Sequence, residues 1–136
     1  MVSKVKTEEW WRKKCVTDAK KIARLLVKKT CAYCGKKEPN ILTHGSHIYP
    51  ESVYKSMSAD IDNILCLCAD HHSTMYGRKP RDWNWHANPI DAINWFKENY
   101  PELDNKLRIR SQKTRRINWE KKRTELRAQL KELDLS

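Results

Sequence analysis

Two cysteines and two adjacent histidines stand within seven positions of one another in NILCLCADHHSTMYG, residues 63–77: Cys66, Cys68, His71 and His72. Thiolate and imidazole are zinc-binding side chains, and imidazole also exchanges a proton near neutral pH. The stretch therefore offers metal binding, acid–base chemistry, or both. A second stretch, CAYCGKK, separates Cys31 from Cys34 by two residues, with Gly35 behind them to permit the tight turn that aims two thiolates at one point. Cys68 and His71 repeat that two-residue gap after a connection of 33 residues. Cys31, Cys34, Cys68 and His71 thus form a Cys3His set expected to hold one structural zinc, leaving no coordination position open for catalysis. Cys66 falls outside this spacing and, like Cys15, is read as a small buried residue.

That assignment leaves His72 beside the zinc with no ligand's task there. His47 lies in THGSHIYP, where Ile41, Leu42 and Ile48 suggest a strand; Asn63 follows sixteen residues on, and His72 nine after that. With NILCLCADHH, this arrangement resembles the HNH, or ββα-metal, endonuclease superfamily. Its usual form has a histidine closing one strand, an asparagine after a loop, and N-x-x-x-L-C-x-x-C-H leading into a short helix. Here His71 replaces the last cysteine, and the likeness covers roughly residues 31–77. A wider likeness takes in a tryptophan-bearing helix before CAYCG, the SHI form of the first histidine motif, and WHANPIDAINWFKENYP. Over residues 7–101 the chain looks like phage recombination endonucleases of the lambdoid type.

The resemblance implies an α+β fold, a zinc-braced ββα centre flanked by basic amphipathic helices, acting as a metal-dependent DNA endonuclease or nickase. Branched recombination intermediates are among its expected substrates. Hydrolysing a phosphodiester needs an activated water, a cation to neutralise phosphate charge, and help for the departing 3′ oxygen. By resemblance His47 is the general base, His72 binds a catalytic Mg²⁺ or Mn²⁺, and Asn63 fixes the loop and holds the imidazole of His47. One departure stands out. Many relatives carry a metal-binding Asp or His immediately before the base, whereas this chain has Ser46, a poor substitute for a carboxylate. His44, Asp60 and Asp62 are the candidates for the second ligand. A zinc-stabilised nucleic-acid-binding module without catalysis is the competing reading, and Ser46 is its argument. His86 is read as a surface or packing residue.

These groups need elements to position them. From Thr7 to about Lys29, Trp11, Cys15, Ile22 and Leu26 recur at helical spacing behind a Thr7 cap and an acidic first turn. Asn88-Pro89 opens a second helix, with Ile93 and Phe96 on its buried side and Pro101 as its stop. A third, over residues 115–133, lines Trp119, Leu126, Leu130 and Leu133 along one face to pack on the body. The chain of 136 residues suits one domain of three parts: a basic helix over 1–30, the zinc-bound core with its following helix over 31–103, and a basic helical tail over 104–136.

Charge follows the same division. Residues 1–30 carry ten Lys/Arg against three Asp/Glu and residues 104–136 eleven against five, while the centre carries seven against nine. Basic arms around a nearly neutral centre suit a protein that neutralises phosphates at its edges and works locally between them. The expected DNA contacts are Arg78, Lys79 and Arg81 after the zinc site, and the dense cluster Arg108, Arg110, Lys113, Arg115 and Arg116. Trp83 and Trp85 are expected to cover the small core. The chain has no apolar run of membrane-spanning length and a mean hydropathy of -0.88, so it is expected to be soluble and cytoplasmic, with its thiols reduced. Monomer and homodimer are equally compatible with the pattern.

Overall fold

Helix α1 (Glu8–Leu26) starts where the sequence places a cap: the Thr7 hydroxyl accepts from the Trp10 amide at 3.1 Å, and Glu8 and Glu9 face the positive end of the helix dipole. The computed structural model describes residues 5–72, 84–113 and 115–135. Cys15, Val16, Ala19, Ile22 and Ala23 form the buried stripe of α1, while Trp11 is half-buried and Leu26 is 52% exposed. The helix ends in two successive left-handed residues, Lys28 and Lys29, both at φ +53°, which turn the chain toward Cys31.

Strands β1 (Thr43–His47) and β2 (Ile64–Cys68) pair antiparallel, from Thr43 against Cys68 to His47 against Ile64. A two-stranded ribbon is marginal alone, so both faces here are covered. Ile64 packs with the α1 stripe and with Leu126 and Leu130, while Leu65 and Leu67 pack with Phe96 and Leu107 on the other side. All five residues of β2 are consequently buried. Helix α2 (Ala69–His72) follows β2 directly, so the ribbon and helix are joined with no slack.

Helix α3 (Pro89–Asn99) has proline in its first turn as expected, but the Asn88 side chain turns back to accept from the Asn84 amide at 3.2 Å. Ala92 and Phe96 form its fully buried pair, with Ile93 only half-buried. Pro101 does end α3, yet it also occupies the first turn of a further helix, α4 (Pro101–Ser111), whose Leu107 is fully buried. A ring that cannot continue one helix is well suited to start the next, since its fixed φ is helical and its missing N–H is not needed there. Helix α5 (Trp119–Leu135) docks on α1 through Leu126 and Leu130, and the buried Asp18 faces Arg123 and Arg127 at 3.6 and 3.5 Å. It therefore shares a core with α1. Among the described residues no helix is long and apolar enough to cross a membrane.

Candidate active site and metal centre

The four expected zinc ligands converge. Cys31 and Cys34 come from the turn after α1, Cys68 ends β2 and His71 lies on α2, and their ligand atoms lie within 4.8 Å of one another. Cys34 Sγ stands 3.8 Å from Cys68 Sγ, and His71 Nδ1 stands 3.9 Å from Cys31 Sγ and 3.0 Å from Cys68 Sγ. Bonds of about 2.3 Å to a tetrahedral zinc set sulfur–sulfur edges of about 3.8 Å, so the spacing fits that ion and is far too long for a disulfide. Gly35, at φ +74°, closes the cysteine turn by donating to the Cys31 carbonyl at 3.0 Å. The Ala32 amide docks that turn on the Cys66 carbonyl at 2.8 Å. Burial raises the Cys68 thiol to about 12; Cys31 is also raised by burial, but backbone hydrogen bonds at Cys34, Cys68 and Tyr33 outweigh it and leave it lowered. Cys31, Cys34 and Cys68 would hold a divalent ion as thiolates, with His71 as the fourth ligand. Cys66 is buried in β2, and burial raises its thiol.

His47 ends β1 with its imidazole half-buried, and its Nε2 lies 2.8 Å from the Ser58 carbonyl oxygen. A carbonyl can only accept, so Nε2 carries the proton and Nδ1 keeps its lone pair. Burial, opposed by that hydrogen bond, holds the group below the ordinary histidine value of 6.5. Asn63 does not hold this ring. Its buried amide accepts from the Tyr49 amide at 2.8 Å and donates to the Tyr49 and Met57 carbonyls at 3.0 and 3.1 Å. It clamps both ends of the loop that carries Ser58, one residue beyond Met57, and so reaches His47 through the backbone. Asn63→Asp keeps the shape but loses both donated bonds, taking from the Tyr49 carbonyl its side-chain partner and leaving the Met57 carbonyl with the Asp60 amide alone. It is expected to destabilise the protein by about 1–3 kcal/mol, read from the denaturation midpoint.

His72 lies on the last described turn of α2. Its ring centroid is 5.2 Å from that of His44, on β1, and 4.8 Å from that of His86. His86 reaches this place because its turn is locked: Ala87 donates to the Asn84 side chain at 2.6 Å, and the Trp85 amide donates to the His71 carbonyl at 2.8 Å. His72 Nδ1 is buried without a hydrogen-bond partner among the described residues. Burial first, then His86, His44 and Lys20, push its pKa down to about 4, so the ring is neutral, as a metal ligand must be. Ser46 is buried and its hydroxyl lacks a partner among the described residues.

Two expectations need correction. Asp60 and Asp62 are not held ready for a cation, because Arg110 contacts both, at 2.9 and 2.8 Å. Arg110 is accordingly an anchor of α4 and not part of an open phosphate-binding cluster; Arg108 donates to Asn105 at 2.6 Å, and Lys113, Arg115 and Arg116 are exposed. His86 is the surface and packing residue expected: it is exposed and its ring lies against that of His72. The asparagines bracketing it, Asn84 and Asn88, were the available signal, since such residues lock turns. Arg78, Lys79, Arg81 and Trp83 lie outside the described residues, while Trp85 packs beside Phe96 with centroids 6.4 Å apart.

Residues 31–74 match the family model described as HNH endonuclease. The matched stretch spans the four residues of the candidate metal site together with His44, His47, Asn63 and His72, and stops short of His86. No curated protein and no solved structure matches the chain.

Proposed function

We propose that this protein is a zinc-braced nuclease that hydrolyses DNA phosphodiester bonds with a divalent cation. The observation that carries the reading is an oriented imidazole with a lone pair available, His47 at the end of β1, together with a neutral imidazole that has no partner among the described residues, His72, whose ring lies against His44 of the same strand. His47 Nδ1 takes the proton of the attacking water, while the Ser58 carbonyl keeps the ring in the required tautomer. Asn63 positions that carbonyl. His72, with His44 and His86 beside it, would hold the cation, which supplies positive charge to the phosphate and the departing 3′ oxygen. The zinc set joins β2 to α2 and so fixes His72 relative to the strand carrying His47. Resemblance to phage recombination endonucleases makes branched DNA the first structured substrate to try.

Three imidazoles and no carboxylate suit Mn²⁺ or Co²⁺ better than Mg²⁺, which prefers oxygen ligands. On an end-labelled duplex, Mn²⁺ is therefore expected to support cleavage at lower concentration than Mg²⁺. The products should carry 5′-phosphate and 3′-hydroxyl ends, because the 3′ oxygen leaves. Products with 3′-phosphate ends would refute this direction of attack. Ser46 favours a second reading, a binding module without catalysis, which predicts retention of the duplex with no cleavage under any cation.

A further inference from the structure

We propose that Lys20 is a phosphate-binding residue of this site, and that the groove between α1 and β1 seats the reacting stretch of the nucleic-acid backbone. The inference rests on the nuclease reading and adds the place where substrate lies. The groove has a volume of about 420 Å³, and Lys20, Lys21, Lys29, Gly45, His44 and His72 are among its walls.

Close contact between helix and strand creates it. A Cβ at Gly45 would lie 2.7 Å from Lys20 Cγ, 2.8 Å from Lys20 Cβ and 3.1 Å from Ile64 Cγ2. The stem of Lys20 therefore lies flat on β1 only because residue 45 has no side chain. That packing half-buries Lys20 and sets it on the same groove wall as the imidazoles of His44 and His72.

The local charge is uncompensated. Asp18 faces Arg123 and Arg127, Glu38 binds Arg24, and Glu51 binds Arg12. Among the described residues no carboxylate pairs with Lys20 or Lys21. An ammonium whose stem is seated on the strand beside two imidazoles, and which lacks a counterion among the described residues, is a site for an anion, and a phosphodiester is the anion that the neighbouring histidines would act upon. The positive path also continues outward. Lys21 borders a second groove, with Arg127, Lys131 and Asp134 on its walls; Arg127 is engaged by Asp18, so Lys131 is the cation that carries the track onto α5. Arg116 lines a different groove, with Lys6 and Trp11.

Lys20→Met tests this by keeping the stem on Gly45 and removing the charge, and Lys20→Arg restores a cation. Binding to a short duplex is measured as a function of salt on a His47→Ala background, and single-turnover cleavage is measured with His47 intact. Lys20→Met is expected to reduce the salt slope by about one and to lower cleavage by about 10²-fold, as loss of a donor to a developing oxyanion does. Lys20→Arg should recover most of both. Zinc content and denaturation midpoint are read on each variant. The proposal is overturned if Lys20→Met cleaves and binds like the parent, or if its losses appear only together with lost zinc or lost fold. Cleavage at the parental rate by Lys20→Met leaves the nuclease reading standing while removing Lys20 from it. If the intact protein cleaves under no cation, the nuclease reading fails. The salt slope then decides the groove: a decrease supports a phosphate site there and an unchanged slope overturns it.

Discussion

His47→Ala is expected to lower single-turnover cleavage by about 10²–10⁴-fold, the contribution of a positioned general base, while zinc content and duplex binding stay at parental levels. The separation follows from where the ring sits. His47 makes its hydrogen bond to Ser58 on the loop side of β1, whereas the zinc ligands lie on the cysteine turn, the end of β2 and α2. The loop itself is clamped by Asn63, so removing the imidazole leaves its fold in place. A pH profile gives an independent readout. Burial holds His47 below 6.5, so the base is unprotonated at neutral pH, and cleavage should lose rate only as pH falls through that lowered value. Parental cleavage by His47→Ala would remove the base from this residue.

Cys31→Ser is expected to lose the zinc and much of the fold together. Structural zinc contributes on the order of 10–16 kcal/mol in small zinc-finger peptides, and a domain's whole stability is on the order of 5–15 kcal/mol. Cys31 is itself buried among Leu65, Leu67 and Phe96, so the metal and the second apolar cluster stand or fall as one. Elemental analysis should find well under one equivalent of zinc in Cys31→Ser, with loss of near-ultraviolet circular dichroism. Cys66→Ser provides the contrast, since that side chain belongs to β2 and not to the ligand set; it should keep a full equivalent at some cost in stability. A full zinc equivalent in Cys31→Ser would contradict the assignment.

The sequence makes some of this legible and hides the rest for physical reasons. The zinc set is readable because ligand geometry imposes local spacing, Cys31 to Cys34 and Cys68 to His71. Helices α1 and α3 are readable from Thr7 and from Asn88-Pro89, as local signals fix helix starts. Helix α4 is hidden behind Pro101, where one residue ends an element and begins another. The neighbours of Arg110, Asp60 and Asp62, lie about fifty positions away in sequence, and such pairing depends on how α4 docks. His86 reaches His72 through a turn locked by side chains, and Lys20 reaches the cleft through a close packing at Gly45; neither leaves a periodic trace. Asn63 lies between these cases. Its buried place beside β2 follows the motif, but its partners are backbone groups across the loop, which no spacing encodes.

The central claim is that this chain cleaves DNA with a cation held beside His72. It is tested most directly by incubating the zinc-loaded protein with supercoiled plasmid, with Mn²⁺ added or with weakly chelated buffer alone, and following the DNA on a gel. The account predicts conversion to nicked or linear plasmid with Mn²⁺, none without it, and none with His47→Ala at equal binding. Plasmid that stays supercoiled with Mn²⁺, Co²⁺ and Mg²⁺ alike, while still being bound, would contradict it and leave a zinc-braced binding module.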